Sequence, residues 1–125
     1  MPVRGIRGAV QADANTPEAI LGATQTLLQA ILDANPELQT EEIAAAMFTV
    51  TQDLEAAFPA QAARRLGWNE VPLLCFQEIP VPGSLGRCIR VLLLWNTALP
   101  QNSIHPVYLG AAARLRPELS ETETF

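Results

Sequence analysis

Arginines are the residues of this sequence best suited to binding an anion, and six of its eight fall into three pairs. The pairs are Arg4 and Arg7, Arg87 and Arg90, and Arg114 and Arg116. Residues three apart in a strand face opposite sides, so one arginine of each of the first two pairs is predicted to point inward. Arg90 is the clearest case, because it lies in the apolar run Ile89–Trp95, which is expected to be buried on both faces.

A buried arginine needs an anionic partner, since an unpaired buried charge costs several kcal/mol. Two interpretations of Arg90 stay open on the residues alone. One is a structural ion pair with Glu78 or Glu55, and the other is a pocket for a small multivalent carboxylate. The chain has no lysine, which is consistent with sites that need the planar fork of arginine or with a bias in nucleotide composition.

Three other side chains could take part in chemistry. Cys75 could be a nucleophile, but its apolar neighbours favour a packed thiol. Tyr108 is the single tyrosine, and a buried hydroxyl would need a partner. His105 is the single histidine and is predicted to lie on a surface loop, so a two-histidine metal site is excluded and no metal is expected.

Composition limits the classes of protein to which the chain can belong. Its 125 residues match one domain, and a net charge of -5 without a basic block disfavours a nucleic-acid partner. The longest uncharged stretch, 91–113, is too polar to span a membrane, and the N-terminus lacks the apolar core of a signal peptide. Cys75 and Cys88 have no metal-binding spacing, so we expect reduced thiols in the cytoplasm.

Apolar residues are more frequent than a small independent domain requires. The chain is 49% hydrophobic and 17% charged, whereas about 25% charged residues is typical. Small domains have a high ratio of surface to volume and therefore need more polar surface. The deficit predicts that another subunit covers some of the apolar surface.

The elements that would position these residues alternate between strands and helices. Strands are predicted at 3–11, 43–51, 71–78 and 87–97, although 42–51 also has helical character. One helix begins at Pro17 after an N-cap at Thr16 and ends at Asn35, and a second covers 59–66. A loop follows at 80–84, and the tail 118–125 is expected to be mobile. This order predicts a single α/β or α+β domain over residues 1–125.

Several stretches of the chain resemble a known family, in order and at matching spacing. The family is the small, trimeric chorismate mutases of the pseudo-α/β-barrel class. The stretches are 3–9 (VRGIRGA), 58–60 (FPA), 71–78 (VPLLCFQE), 88–91 (CIRV), 107–109 (VYL) and 115–117 (LRP). The resemblance implies one mixed sheet with helices packed on its outer side, three subunits around a barrel-like core, and active sites in clefts between subunits. It also implies the rearrangement of chorismate to prephenate, on the route to Phe and Tyr, without cofactor or metal.

The resemblance also implies a role for individual residues. Arg90 would lie against the ether oxygen, Arg7 would hold a substrate carboxylate with help from the hydroxyl of Tyr108, and Glu78 would accept from the ring hydroxyl, assisted by Cys75. The remaining residues of the implied site form its apolar walls, the adjoining strand and a charged entrance. They are Phe58, Ala60, Leu73, Leu74, Phe76, Gln77 and Leu115, with Arg64 and Arg116 at the entrance.

One position departs from the family pattern. Position 61 is Gln, where relatives commonly have Lys after Phe-Pro-Ala, so one cation at the mouth of the cleft is missing. Two other classes of function stay open at this point. They are a non-catalytic trimer that binds a small carboxylate and an enamine/imine deaminase of similar trimeric architecture. The combination of Arg7, Glu78 and Arg90 fits the mutase pattern better.

Overall fold

One mixed five-stranded sheet organises the protein, in the strand order β3–β2–β4–β1–β5. The computed structural model describes residues 1–115. Its strands are β1 (Val3–Gln11), β2 (Ile43–Val50), β3 (Leu73–Gln77), β4 (Cys88–Asn96) and β5 (Val107–Tyr108), and its helices are α1 (Pro17–Ala34) and α2 (Ala60–Arg65). Strand β4 pairs antiparallel with β1 and β2, whereas β5 and β3 pair parallel with β1 and β2 respectively.

Helix α1 begins and ends where local chemistry places its caps. The hydroxyl of Thr16 accepts a hydrogen bond from the backbone of Ala19 at 3.1 Å, and Pro17 occupies the first turn. At the other end, the backbone N–H of Asn35 donates to the carbonyls of Ile31 and Leu32. The Asn35 side chain also donates to the carbonyl of His105, which fixes the chain that leads into β5. The predicted helix is thereby confirmed at both ends.

The helices lie on one side of the sheet and bury that side. From β4, the side chains of Ile89, Val91, Leu93 and Trp95 point into this core, and each is at most 4% exposed. Gly8 lets α1 approach β1 closely, because a Cβ there would lie 2.9 Å from Cδ1 of Ile31. We call this side of the sheet the helix face and the other side the open face.

The open face corrects one prediction about β4. Burial alternates along the strand, with Arg90 exposed and Leu92 37% exposed, so the run Ile89–Trp95 is not buried on both faces within one chain. The prediction of an inward-pointing Arg90 is therefore wrong for the single chain. The physical reason is that α1 and α2 cover only the helix face, while the described part of the open face has a cover only near Tyr108, where the 3₁₀ turn Gly110–Arg114 contacts β1.

Three of the predicted strands extend beyond the observed ones, and β2 ends at Val50 rather than at residue 51, β3 at Gln77 rather than at 78, and β4 at Asn96 rather than at 97. Strand β3 begins at Leu73 rather than at residue 71, and β4 begins at Cys88 rather than at Arg87. Arg87 cannot be part of the strand, because its φ of +47° lies in the left-handed region. The inward–outward argument therefore holds for Arg4 and Arg7 but fails for Arg87 and Arg90. Strand β5 was not predicted, since two residues are too short for a pattern.

Candidate active site

A row of side chains crosses the open face of the sheet from edge to edge. The register pairs Phe76 with Thr49, Thr49 with Arg90, Arg90 with Ala9, and Ala9 with Tyr108. Paired residues share a face of a sheet, and neighbouring strands are about 4.8 Å apart. Arg90 and Tyr108 therefore lie on either side of Ala9, whose methyl group leaves space between the two longer side chains.

Arg90 forms an ion pair with Glu78 on this face. Its Nε lies 3.3 Å from Oε2 of Glu78, and the side chains are 45% and 23% exposed. The hydroxyl of Thr49 donates to the same oxygen at 2.5 Å. The backbone N–H of Glu78 donates to the carbonyl of Val50 at 2.8 Å, so the end of β3 is fastened to β2. Of the two partners predicted for Arg90, Glu78 is therefore the one found.

Arg7 lies one register step away on the same face. It pairs with Leu92, so it is the diagonal neighbour of Arg90 across β1 and β4, a relation that separates backbones by roughly 7–8 Å. Arg7 is exposed, and within residues 1–115 the pair of Arg90 with Glu78 is the sole ion pair. The fold thus brings two guanidinium groups together with a single compensating carboxylate.

A small apolar cluster covers the end of the open face beyond Arg90. Tyr108, Ala9, Cys88 and Ala112 are buried there, and Leu115 packs against them. Burial raises the pKa of the Cys88 thiol above its ordinary value of 9.0, although the Arg90 guanidinium beside it opposes the shift. Cys88 is therefore a neutral neighbour of Arg90, and Leu115, one of the wall residues that the resemblance implies, packs at this end of the open face.

A second group of predicted site residues lines a groove of about 570 Å³ at the edge of the helix face. Cys75 pairs in register with the fully buried Phe48, which places it on the helix side of β3. Phe58 is 71% exposed in front of α2. The predicted residues that line this groove are Phe58, Gln61, Cys75, Phe76 and Gln77.

The other predicted wall residues are distributed around these two regions. Ala60 is 3% exposed and belongs to the core, whereas Leu74 is 59% exposed. Leu73 is half-buried against the core, and Arg64 is exposed on α2. Arg116 lies outside the described residues, as does the predicted mobile tail.

Within one chain the two groups lie mainly on different sides of the sheet, although Phe76 belongs to the open-face row and also lines the groove. Arg7, Arg90 and Tyr108 occupy the open face, whereas Phe58 and Cys75 belong to a groove on the helix side. Glu78 and Cys75 come from the same strand end but from opposite sides of it. A cleft that uses both groups therefore needs surfaces from more than one side of the sheet.

Three further properties of residues 1–115 concern metal binding, the thiols and the membrane. No cluster of three or more His, Cys, Asp or Glu side chains in this range could hold a metal ion. Both cysteines are free thiols. Neither helix in the described part has the length and apolar composition needed to cross a membrane.

The comparison with protein families decides the assignment. The sequence model of the family "Chorismate mutase type I" matches residues 3–119. The chain belongs to this family. Named relatives agree: it is 56% identical to the chorismate mutase AroH of Thermus thermophilus over 121 residues, which is 97% of this chain and 99% of that protein. It is also 44% identical to the chorismate mutase AroH of Bacillus subtilis over 124 residues, covering 98% and 97% of the two chains.

The fold gives the same answer. A solved chorismate mutase from Clostridium thermocellum superposes with a TM-score of 0.85 at 45% identity, covering 88% of this chain and 97% of that one. The resemblance inferred from the sequence is thus confirmed, and so is the α+β fold class. The protein is a chorismate mutase, an isomerase of aromatic amino-acid biosynthesis whose substrate is chorismate. The deaminase and the non-catalytic binding trimer are set aside.

Sequence reasoning missed one residue of the candidate site. The hydroxyl of Thr49 donates to the Glu78 oxygen that is paired with Arg90. A threonine within a strand gives no sign of such a contact in the sequence. Its importance follows from the register that places it opposite Arg90. The contact can be predicted only when β2 and β4 are known to pair.

Proposed function

We propose that this chorismate mutase works as a cytoplasmic homotrimer, with each active site formed between the open face of one subunit and the groove of its neighbour. The observation that carries the proposal is the separation of the predicted site residues onto two sides of one sheet. A second copy of the chain would supply the missing half of each cleft. Apolar side chains on the open face support the contact, since Leu74, Phe76 and Leu92 are 59%, 46% and 37% exposed.

The rearrangement moves no proton and forms no covalent enzyme intermediate. A C–O bond breaks while a C–C bond forms, so the protein contributes by holding the enolpyruvyl arm over the ring and by placing charge against the polarised transition state. Residues 1–125 act as one domain in this proposal.

Arg90 has the geometry to stabilise the developing negative charge. Glu78 meets the guanidinium at Nε, so the terminal N–H groups stay available for the ether oxygen and a carboxylate of the substrate. The ion pair also restricts the rotamers of Arg90 before substrate arrives. Charge that is positioned in advance is what makes such a contact effective in the transition state.

One carboxylate oxygen of Glu78 is also available to the substrate. Its contacts with Arg90 and Thr49 both fall on Oε2, so Oε1 can accept a hydrogen bond from the ring hydroxyl. Arg7 would hold a substrate carboxylate beside Arg90, with the hydroxyl of Tyr108 as a second donor. Arg7 then supplies a second cation against the chorismate dianion, which is needed because the charge of Arg90 is already partly compensated by Glu78.

Complementation between two defective variants tests the shared cleft. Arg90→Ala removes the charge of the open face, and Phe58→Asp puts a carboxylate into the groove half, where Phe58 is exposed enough for the change to spare the fold. Each variant alone should have little activity. Co-expressed with different tags and purified as mixed particles, they should recover activity, because random assembly leaves about a quarter of the sites with both halves intact.

The matched control combines both substitutions in one chain and co-expresses it with the single Arg90→Ala variant. No site in these particles has an intact open face, so no activity should return. Failure of the first mixture to recover activity, with mixed particles shown by mass spectrometry, would mean that each site lies within one chain.

A further inference from the structure

The chain makes an unusual turn just before the strand that carries Arg90. Arg87 has a φ of +47°, and it is the single non-glycine residue with a positive φ among residues 1–115. Residues with a Cβ rarely adopt this conformation, and they keep it where surrounding contacts hold them. Strand β4 begins at the next residue, and Arg90 follows two positions later.

Asp53 holds one side of this turn. Both of its carboxylate oxygens accept a hydrogen bond from the backbone N–H of Arg87, with N···O distances of 3.0 Å to Oδ1 and 2.9 Å to Oδ2. The carboxylate also lies against the backbone of Gly86, since a Cβ at that position would be 2.8 Å from Oδ2. A glycine is therefore required there for the carboxylate to reach the amide.

Thr51 extends the same contact to the first residue of β4. Its hydroxyl donates to Oδ1 of Asp53 at 2.5 Å and accepts from the backbone N–H of Cys88 at 3.0 Å. The backbone N–H of Thr51 donates to the carbonyl of Cys88 at 3.1 Å. Two consecutive amides, those of Arg87 and Cys88, are thus held by side chains from the segment that follows β2.

The opposite side of the turn is fastened as well. The side chain of Arg87 donates through Nη1 to the carbonyls of Ala12 and Asp13 at 2.9 and 2.5 Å, and the N–H of Ala12 donates back to the carbonyl of Arg87 at 2.8 Å. The hydrogen bond from Thr51 lowers the pKa of Asp53 below its ordinary value of 3.8, assisted by the Arg87 amide and against partial desolvation. Asp53 is therefore charged at neutral pH.

We propose that Asp53 is a positioning residue for the reaction, which sets the direction of Arg90 by holding Arg87 in the left-handed conformation. Asp53 does not touch Arg90, and its action passes through the turn and the start of β4. If Arg87 relaxes to a negative φ, the path of the backbone into Cys88 changes, and with it the position of Arg90 relative to Glu78. The inference rests on the proposed role of Arg90 in the chemistry.

The test is an Asp53→Ala substitution with a rescue that the geometry specifies. Because a misplacement of about 1 Å can cost roughly 100-fold in rate, we expect kcat to fall about 10–100-fold, with KM changing less than about threefold. Asp53→Asn retains one acceptor oxygen and should lose much less. Glycine adopts positive φ without steric cost, so Arg87→Gly added to Asp53→Ala should recover most of the lost kcat when compared with Arg87→Gly alone.

The possible outcomes separate this inference from the proposed function. If Asp53→Ala lowers the melting temperature but leaves kcat unchanged at 25 °C, Asp53 only stabilises the turn and the inference is wrong. The inference is equally wrong if Asp53→Ala slows the enzyme as much in the Arg87→Gly background as in the original one. If Arg90→Ala keeps full kcat, the proposed role of Arg90 fails instead. Should Asp53→Ala not fold, Thr51→Val removes the bridging hydroxyl and should lower kcat in the same direction, and an unchanged kcat there overturns the inference.

Discussion

At the residue scale, the shape of Arg90 matters as much as its charge. Glu78 occupies Nε, so in the proposed mechanism the ether oxygen and the carboxylate of the substrate are left to the two terminal nitrogens, which lie in one plane. A lysine would supply charge at one point and could not span an ether oxygen and a carboxylate together. The planar guanidinium of Arg90 therefore predicts that lysine cannot replace it, whereas a requirement for charge alone would allow the replacement.

Arg90→Ala should lower kcat about 10²–10³-fold, since it removes a charge that acts most strongly in the transition state. Arg90→Lys should also be poor. Steady-state kinetics from the loss of chorismate absorbance measures both. Arg65→Lys, at an exposed position on α2, is the matched control and should behave like the unmodified enzyme. A near-normal kcat for Arg90→Lys would show that charge alone is sufficient.

Gln61 stands where the family resemblance implies a lysine. It is exposed in the first turn of α2 and lines the groove, with Arg64 one turn further on. A cation at this place attracts the dianionic substrate about equally in the ground and transition states. Such a contact changes KM more than kcat.

Gln61→Lys should accordingly lower KM up to about fivefold and leave kcat within roughly a factor of three, since an exposed charge contact contributes about 0.2–1 kcal/mol. The gain should shrink as salt is added, because screening acts over about 10 Å at 0.1 M. Gln25→Lys, on the exposed side of α1, makes the same change of charge away from the groove and should show neither effect. A large change of kcat with constant KM would assign position 61 to the chemistry.

At the scale of elements, the contact of α1 with β1 holds the strand that carries Arg7. Gly8 faces the helix, and a Cβ there would lie 2.9 Å from Cδ1 of Ile31 and 3.2 Å from Cδ1 of Leu27 and Cγ1 of Val91. These are tight distances, and the neighbours are fully or almost fully buried side chains with little freedom to move. The glycine is therefore needed for packing, in addition to any conformational reason.

Gly8→Ala should destabilise the protein by about 1–3 kcal/mol through overpacking. Gly22→Ala is the matched control, since Gly22 is exposed within α1 and nothing lies within 4 Å of an added Cβ. It should stabilise by up to about 1 kcal/mol from helix propensity. Urea unfolding at one fixed protein concentration measures both changes. If Gly8→Ala is neutral, the helix has room to move away from the strand.

At the scale of the whole molecule, the exposed apolar side chains of the open face predict assembly. Light scattering should report three chains per particle. Leu92→Glu places a charge in the middle of this face and should dissociate the particles and abolish activity together, because the cleft would lose its second wall. Gln25→Glu makes the same change of charge on α1 and should alter neither property. An active monomer would contradict both the trimer and the shared cleft.

Much of this architecture was predictable because its signals are local. Thr16 and Pro17 start α1 by capping, its apolar residues recur with helical spacing, and Arg4 and Arg7 alternate along a strand. The acidic composition, the apolar excess and the family resemblance depend on the sequence alone. Glu78 is one of the two carboxylates predicted as a partner for Arg90, with Glu55 as the other, although the argument began from a buried Arg90, and the single chain leaves this residue exposed.

Other features were decided by tertiary structure, because they depend on which strands pair. Thr49 lies beside the ion pair through the register of β2 with β4, and its hydroxyl reaches Glu78 across 29 positions of sequence. The left-handed conformation of Arg87 is held by a carboxylate 34 residues away. The exposure of Leu92 reverses a prediction from its apolar neighbours, because burial depends on which face the helices cover. Local sequence determines the direction of each side chain along its strand, and only pairing and packing determine what it meets.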